Sequence, residues 1–131
     1  MKGVDTNILL RLFVRDDEEQ HQRSLRVVEA ATADGEALFV NHVVLVELCW
    51  SLRSAYRYSA DQIDMVVVSI LNSDAFVVQK RAHVVAALEM PSAGVGLADR
   101  LIAAVNAAEG CTTTLTYDRR AGRLPQFEHR E

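Results

Sequence analysis

Lysine and cysteine are scarce in this chain of 131 residues: lysine occurs only at Lys2 and Lys80, cysteine only at Cys49 and Cys111. The cysteines form no CxxC pair and no Cys/His cluster, which excludes a structural zinc site. Each lies among apolar or helix-like neighbours and reads as a small core residue. No apolar run reaches the length of about 20 residues that spans a membrane. No signal-peptide apolar region follows Met1-Lys2-Gly3, so a cytoplasmic location and no membrane partner are expected. An excess of positive charge is missing as well. The net charge is −4 and the pI about 5.5, which disfavours simple electrostatic capture of nucleic acid. An acidic enzyme can still act on a phosphodiester when bound cations invert the local sign. No glycine-rich loop runs into Lys and Ser/Thr, which excludes a P-loop for nucleoside triphosphates. No nucleophile elbow surrounds any serine. There is no internal repeat and no linker. Half of the residues are hydrophobic, enough for the core of a single domain.

Short apolar runs alternate with helical periodicity along the chain. Gly3-Val4 reads as a very short strand ending at Asp5, with a helix opening over Thr6 and Asn7. The acidic turn Asp16-Asp17-Glu18-Glu19 favours a helix start, and Gly35 closes that helix. His21 on it reads as a partly buried surface histidine. Residues 37–40 form a buried strand, and Asn41 caps a helix over residues 42–56. Leu45, Leu48, Cys49 and Leu52 make its core stripe. Ser59 and Gln62 form a capping box for a helix turning Ile63, Val67, Ile70 and Leu71 inward. A third strand covers residues 75–78, and a helix over 80–90 stops at Pro91. Residues 91–96 form a loop that two glycines leave mobile. A helix begins at Leu97 and ends at Gly110. Residues 111–116 read as a strand, more hydroxyl-rich than a central parallel strand should be. A helical turn over 119–122 and a brief last strand follow. This order argues an α/β fold with a parallel sheet and helices on both faces.

Four acids stand out. Asp5 and Asp118 lie at strand ends, where open α/β sheets build their sites. Asp99 lies at a helix start, where it also suits the helix dipole. Glu47 interrupts an apolar helix, with Ser51 and Ser54 continuing its line. It faces either the same crevice or a salt bridge to Arg11 or Arg53. Crowded carboxylates repel one another, and a hard divalent cation removes that penalty. Oxygen ligands without His or Cys favour Mg²⁺ or Mn²⁺ over zinc, in one or two ions. Such a cluster suits in-line phosphoryl displacement by an activated water.

Four segments in order carry a resemblance over essentially the whole chain: Val4-Asp5-Thr6-Asn7-Ile8-Leu9, Val46-Glu47-Leu48, Leu97-Ala98-Asp99-Arg100-Leu101-Ile102-Ala103-Ala104, and Thr116-Tyr117-Asp118. The chain resembles PIN-domain ribonucleases, specifically VapC-type toxins of toxin–antitoxin pairs. The resemblance implies one PIN-like domain over residues 1–131, with a parallel sheet of about five strands. It puts Asp5, Glu47, Asp99 and Asp118 on the family's acidic quartet, with Thr6, Asn7 and Thr116 in support. It implies an endoribonuclease dependent on Mg²⁺ or Mn²⁺ that leaves a 5′-phosphate and a 3′-hydroxyl. The metal would be held mainly by Asp5, Asp99 and Asp118, with Glu47 completing the site. Implied partners are an RNA substrate, a cognate antitoxin and a second copy of the chain. Arg11, Arg100 and Arg119 are candidates for positioning the RNA. Leu97, where the family often has an aromatic, and Ala121, where it often has a larger apolar residue, depart from the commonest pattern without touching the acids. Two rival readings are a receiver-like phosphoacceptor and a catalytically silent PIN fold. The first wants paired acids at the first strand and a late lysine, and this chain has no late lysine. The second is disfavoured by an intact quartet.

Overall fold

The computed structural model describes residues 1–131. The element order is β1 (Lys2–Gly3), α1 (Thr6–Phe13), α2 (Glu18–Ala33), β2 (Leu38–Val40), α3 (His42–Ser54), α4 (Ala60–Leu71), β3 (Phe76–Val78), α5 (Arg81–Glu89), α6 (Leu97–Ala108), β4 (Thr114–Thr116), a 3₁₀ turn (Ala121–Arg123) and β5 (Phe127–His129). This is the expected α/β alternation. The five strands form a three-stranded sheet ordered β1-β2-β3 and a two-stranded sheet β4-β5, and every pairing is parallel. The chain divides into two compact units, Met1–Gln79 and Lys80–Glu131. No helix is long and apolar enough to cross a membrane.

In the first unit β2 lies between β1 and β3, with Gly3 beside Phe39 and Val40 beside Val78. The β1 ladder runs one bond past Gly3, from Val4 N–H to the Phe39 carbonyl at 3.0 Å. Asp5 is therefore not a strand residue but the N-cap of α1. Asp17 caps α2 through the Gln20 N–H. Gly35, at φ +70°, closes α2 as a Schellman motif: Glu36 N–H reaches the Ala31 carbonyl and Gly35 N–H that of Thr32, and a left-handed residue there favours glycine. Asn41 caps α3 through the Val44 N–H at 2.8 Å. Ser59 and Gln62 make both bonds of the capping box. α3 buries Val44, Leu45, Leu48, Cys49 and Leu52, and α4 buries Ile63, Val67 and Ile70, while Leu71 is half-buried. His21 is more buried than its sequence position implies. Its Nδ1 lies 2.9 Å from the Arg11 carbonyl and ties α2 to α1.

In the second unit α5 and α6 pack together. Val95, Ala103, Ala121, Leu124 and Phe127 form a small core, with Met90 against it. Four expectations fail here. The strand expected over 111–116 is limited to Thr114–Thr116, because its partner β5 is itself only three residues long. Cys111 is exposed, not core, since its N–H closes α6 on the Asn106 carbonyl and turns the chain outward. Arg100 is fully buried. Its Nε donates to the Val95 carbonyl at 3.1 Å and Nη1 to the Ala87 carbonyl at 3.2 Å. Those bonds, with the buried Val95 side chain, hold the loop before α6 instead of leaving it free. A guanidinium in that position does not reach a substrate at the surface.

Candidate active site

Asp5 is placed by its cap. Its Oδ1 accepts the Thr6 N–H at 2.7 Å, the ordinary role of a carboxylate at a helix N-terminus, where the unpaired amides and the dipole both favour negative charge. Thr6 is buried and turns its hydroxyl the other way, donating to Glu47 Oε1 at 3.2 Å. One residue therefore anchors an oxygen of Asp5 and an oxygen of Glu47, bringing two of the expected acids together in the first unit. The salt bridge open to Glu47 is not formed, because Arg11 pairs with Asp16 at 2.9 Å. Asn7 is exposed beside Asp5. It lines a cavity of about 230 Å³ with Ile8, Arg11, Gln20, Arg23, Ser24 and Val27.

In the second unit Asp99 stands half-buried in the first turn of α6, which has no side-chain cap at Gly96. Asp118 follows β4. Its Oδ1 accepts the N–H of Arg120 at 2.8 Å and of Ala121 at 3.4 Å. Thr116 Oγ1 accepts the Asp118 N–H at 3.0 Å, so Thr116 fixes the backbone that carries the acid. Arg120 also donates from Nη1 to the Gly94 carbonyl at 3.4 Å.

Asp5, Glu47 and Asp118 share a pattern. In each, one carboxylate oxygen is held by the chain while the other makes no hydrogen bond within it. Exposed carboxylate oxygens held in a fixed orientation suit a hard cation, and the four expected acids bring no soft ligand. Within neither unit do three or more His, Cys, Asp or Glu side chains gather around one point; each unit supplies two of the four acids. The donor set thus fits Mg²⁺ or Mn²⁺ and does not fit structural zinc. Neither Trp50 nor Tyr117 is given a role from the sequence, yet both are exposed next to acids, Trp50 one helical turn beyond Glu47 and Tyr117 directly before Asp118. A helical repeat of hydrophobic residues does not distinguish an outward aromatic from an inward one unless the whole face is considered.

The description "PIN domain" belongs to a family model that matches residues 3–126. A VapC ribonuclease of Aquifex aeolicus (strain VF5) is 33% identical over 92 residues, covering 70% of this chain and 67% of that protein. The family match spans all four acids and the threonines that hold them, and the chain belongs to the PIN-domain family.

Proposed function

We propose that this chain is an endoribonuclease dependent on Mg²⁺ or Mn²⁺, acting in the cytoplasm as the toxin of a toxin–antitoxin pair. The observation that carries the reading is the orientation of Asp5, Glu47 and Asp118, each an exposed carboxylate with one oxygen held by the chain, in a chain related to a VapC ribonuclease. Asp5, Asp99 and Asp118 would hold one or two ions, with Glu47 completing the set. A divalent cation, when bound, supplies Lewis-acid stabilisation of phosphoryl charge and makes water nucleophilic at neutral pH. The chain's own part is orientation. The Thr6 N–H and hydroxyl fix Asp5 and Glu47, the Arg120 and Ala121 N–H groups fix Asp118, and Thr116 fixes the turn beneath it. Asn7, exposed beside Asp5, supports the substrate side. Arg119 is the exposed arginine beside Asp118 and the better candidate for an RNA phosphate than the buried Arg100.

The test is cleavage of RNA by the purified chain. Mg²⁺ or Mn²⁺ should support it, excess chelator should stop it, and Asp5→Asn should abolish it. Asparagine caps a helix as well as aspartate does, so the variant keeps its fold and loses only charge. Full cleavage in chelator, or by Asp5→Asn, would sink the reading.

A further inference from the structure

We infer that Trp50 is a stacking platform for an unpaired base of the RNA beside Glu47; the inference rests on the ribonuclease reading above. The chain has eight aromatic residues, one Trp, three Tyr and four Phe. Only Trp50, at 60% exposure, and Tyr117, at 81%, are exposed; the others are buried or half-buried. Both exposed aromatics flank an acid of the proposed set. A single exposed hydrophobe needs no explanation, so the inference rests on what surrounds Trp50.

The geometry of α3 makes Trp50 the stronger of the two. Leu45, Leu48, Cys49 and Leu52 take one side of the helix into the core. Glu47 and Trp50, three residues apart, are neighbours on the outer side. Helical side chains lean toward the N-terminus, so the indole covers the turn that carries Glu47. Glu47 is in turn bonded to Thr6, beside Asp5. Arg53, three residues further on, is exposed and makes no ion pair, which leaves a cation next to the indole for an adjoining phosphate. Electrostatics point the same way. A chain of net charge −4 has little general attraction for a polyanion, so a contribution that does not depend on charge would add to what bound cations supply. Stacking of a base on an aromatic face provides one and tolerates any sequence.

Trp50 is the only tryptophan, so its emission reports on the site directly. The full chain, in chelator so that nothing is cut, is titrated with a short unpaired oligoribonucleotide and with an abasic ribose-phosphate oligomer of equal length. Saturable quenching by the first and not by the second is expected. Trp50→Ala should weaken oligoribonucleotide binding about tenfold, nearly equally at low and high salt, and Trp50→Phe should restore most of it. In metal the same variant should raise KM more than it lowers kcat. Equal quenching by the abasic oligomer, or unchanged affinity in Trp50→Ala, would overturn the inference. So would a blue shift on concentrating the protein without RNA, which would mean that a second copy covers the indole. Asp5→Asn separates this inference from the ribonuclease reading. It should lose cleavage and keep the quenching. A parent that cuts RNA with no response from Trp50 overturns stacking alone, whereas a parent that neither binds nor cuts RNA overturns both.

Discussion

Thr6 serves two carboxylates at once, its N–H holding Asp5 and its hydroxyl holding Glu47. Replacing it by valine keeps the shape and removes the donor. Glu47 is exposed, so water takes over its oxygen and the fold loses less than about 1 kcal/mol. The acid loses its orientation, however, and Thr6→Val is expected to slow single-turnover cleavage about tenfold, the worth of one well-placed hydrogen bond. Thr6→Ser should recover most of the rate. Unchanged cleavage in Thr6→Val, with an unchanged urea midpoint, would show that the bond has no part in the reaction. At this scale the pairing of Thr6 with both Asp5 and Glu47 was not legible, because it joins residues 41 apart in the chain. Nor were the roles of the acids' neighbours. Arg100 stands one residue from Asp99 and looks like a substrate-facing cation in sequence. One step along a helix turns a side chain by about 100°, since a turn takes 3.6 residues, and at Arg100 that turn points into the interior, where two backbone carbonyls receive it. A sequence does not announce unpaired carbonyls waiting for a donor.

Elements were legible where their signals are local. The box at Ser59 and Gln62 is read from two residues three apart, and both of its bonds form. Ser59→Ala should cost about 1 kcal/mol in urea denaturation while leaving the cleavage rate unchanged, because it removes one cap and no site contact. A larger loss, or a changed rate, would mean that α4 reports to the site. Strand limits were less legible, and β4 shows why. Threonine at positions 112 and 113 has the same propensity as at 114, but strand length is decided by the partner, and β5 offers only Phe127–His129. The hydroxyls outside the ladder find other work, Thr113 Oγ1 donating to the Gln126 carbonyl at 3.4 Å. The helix faces of α3 and α4 were legible too, because their apolar residues recur at helical spacing. Leu45, Leu48, Leu52, Ile63, Val67 and Ile70 read as inward, and all are buried within the chain. What α4 leaves outside is Met65 at 73% exposure and Val68 at 41%.

For the molecule as a whole, that exposed pair supports the proposed homodimer. An isologous contact through α4 would cover Met65 and Val68 in both copies. Light scattering should give twice the chain mass for the parent and the monomer mass for Met65→Asp; a monomeric parent at high concentration would exclude the dimer. The four acids are divided evenly between the two units of the chain, Asp5 and Glu47 in the first, Asp99 and Asp118 in the second. Thermal unfolding with and without metal tests the proposed metal dependence most directly. The parent should be stabilised by Mg²⁺ or Mn²⁺ through mass action, by about 2.7 kcal/mol at a hundredfold excess over Kd. Asp5→Asn and Asp99→Asn, one acid from each unit, should each lose most of that gain. In chelator Asp99→Asn should keep the parent's fold, so that the loss of the metal shift reports on the ion and not on unfolding. If Asp99→Asn is instead less stable than the parent in chelator and shows an unchanged metal shift, Asp99 only stabilises its helix end and the account of the site is wrong.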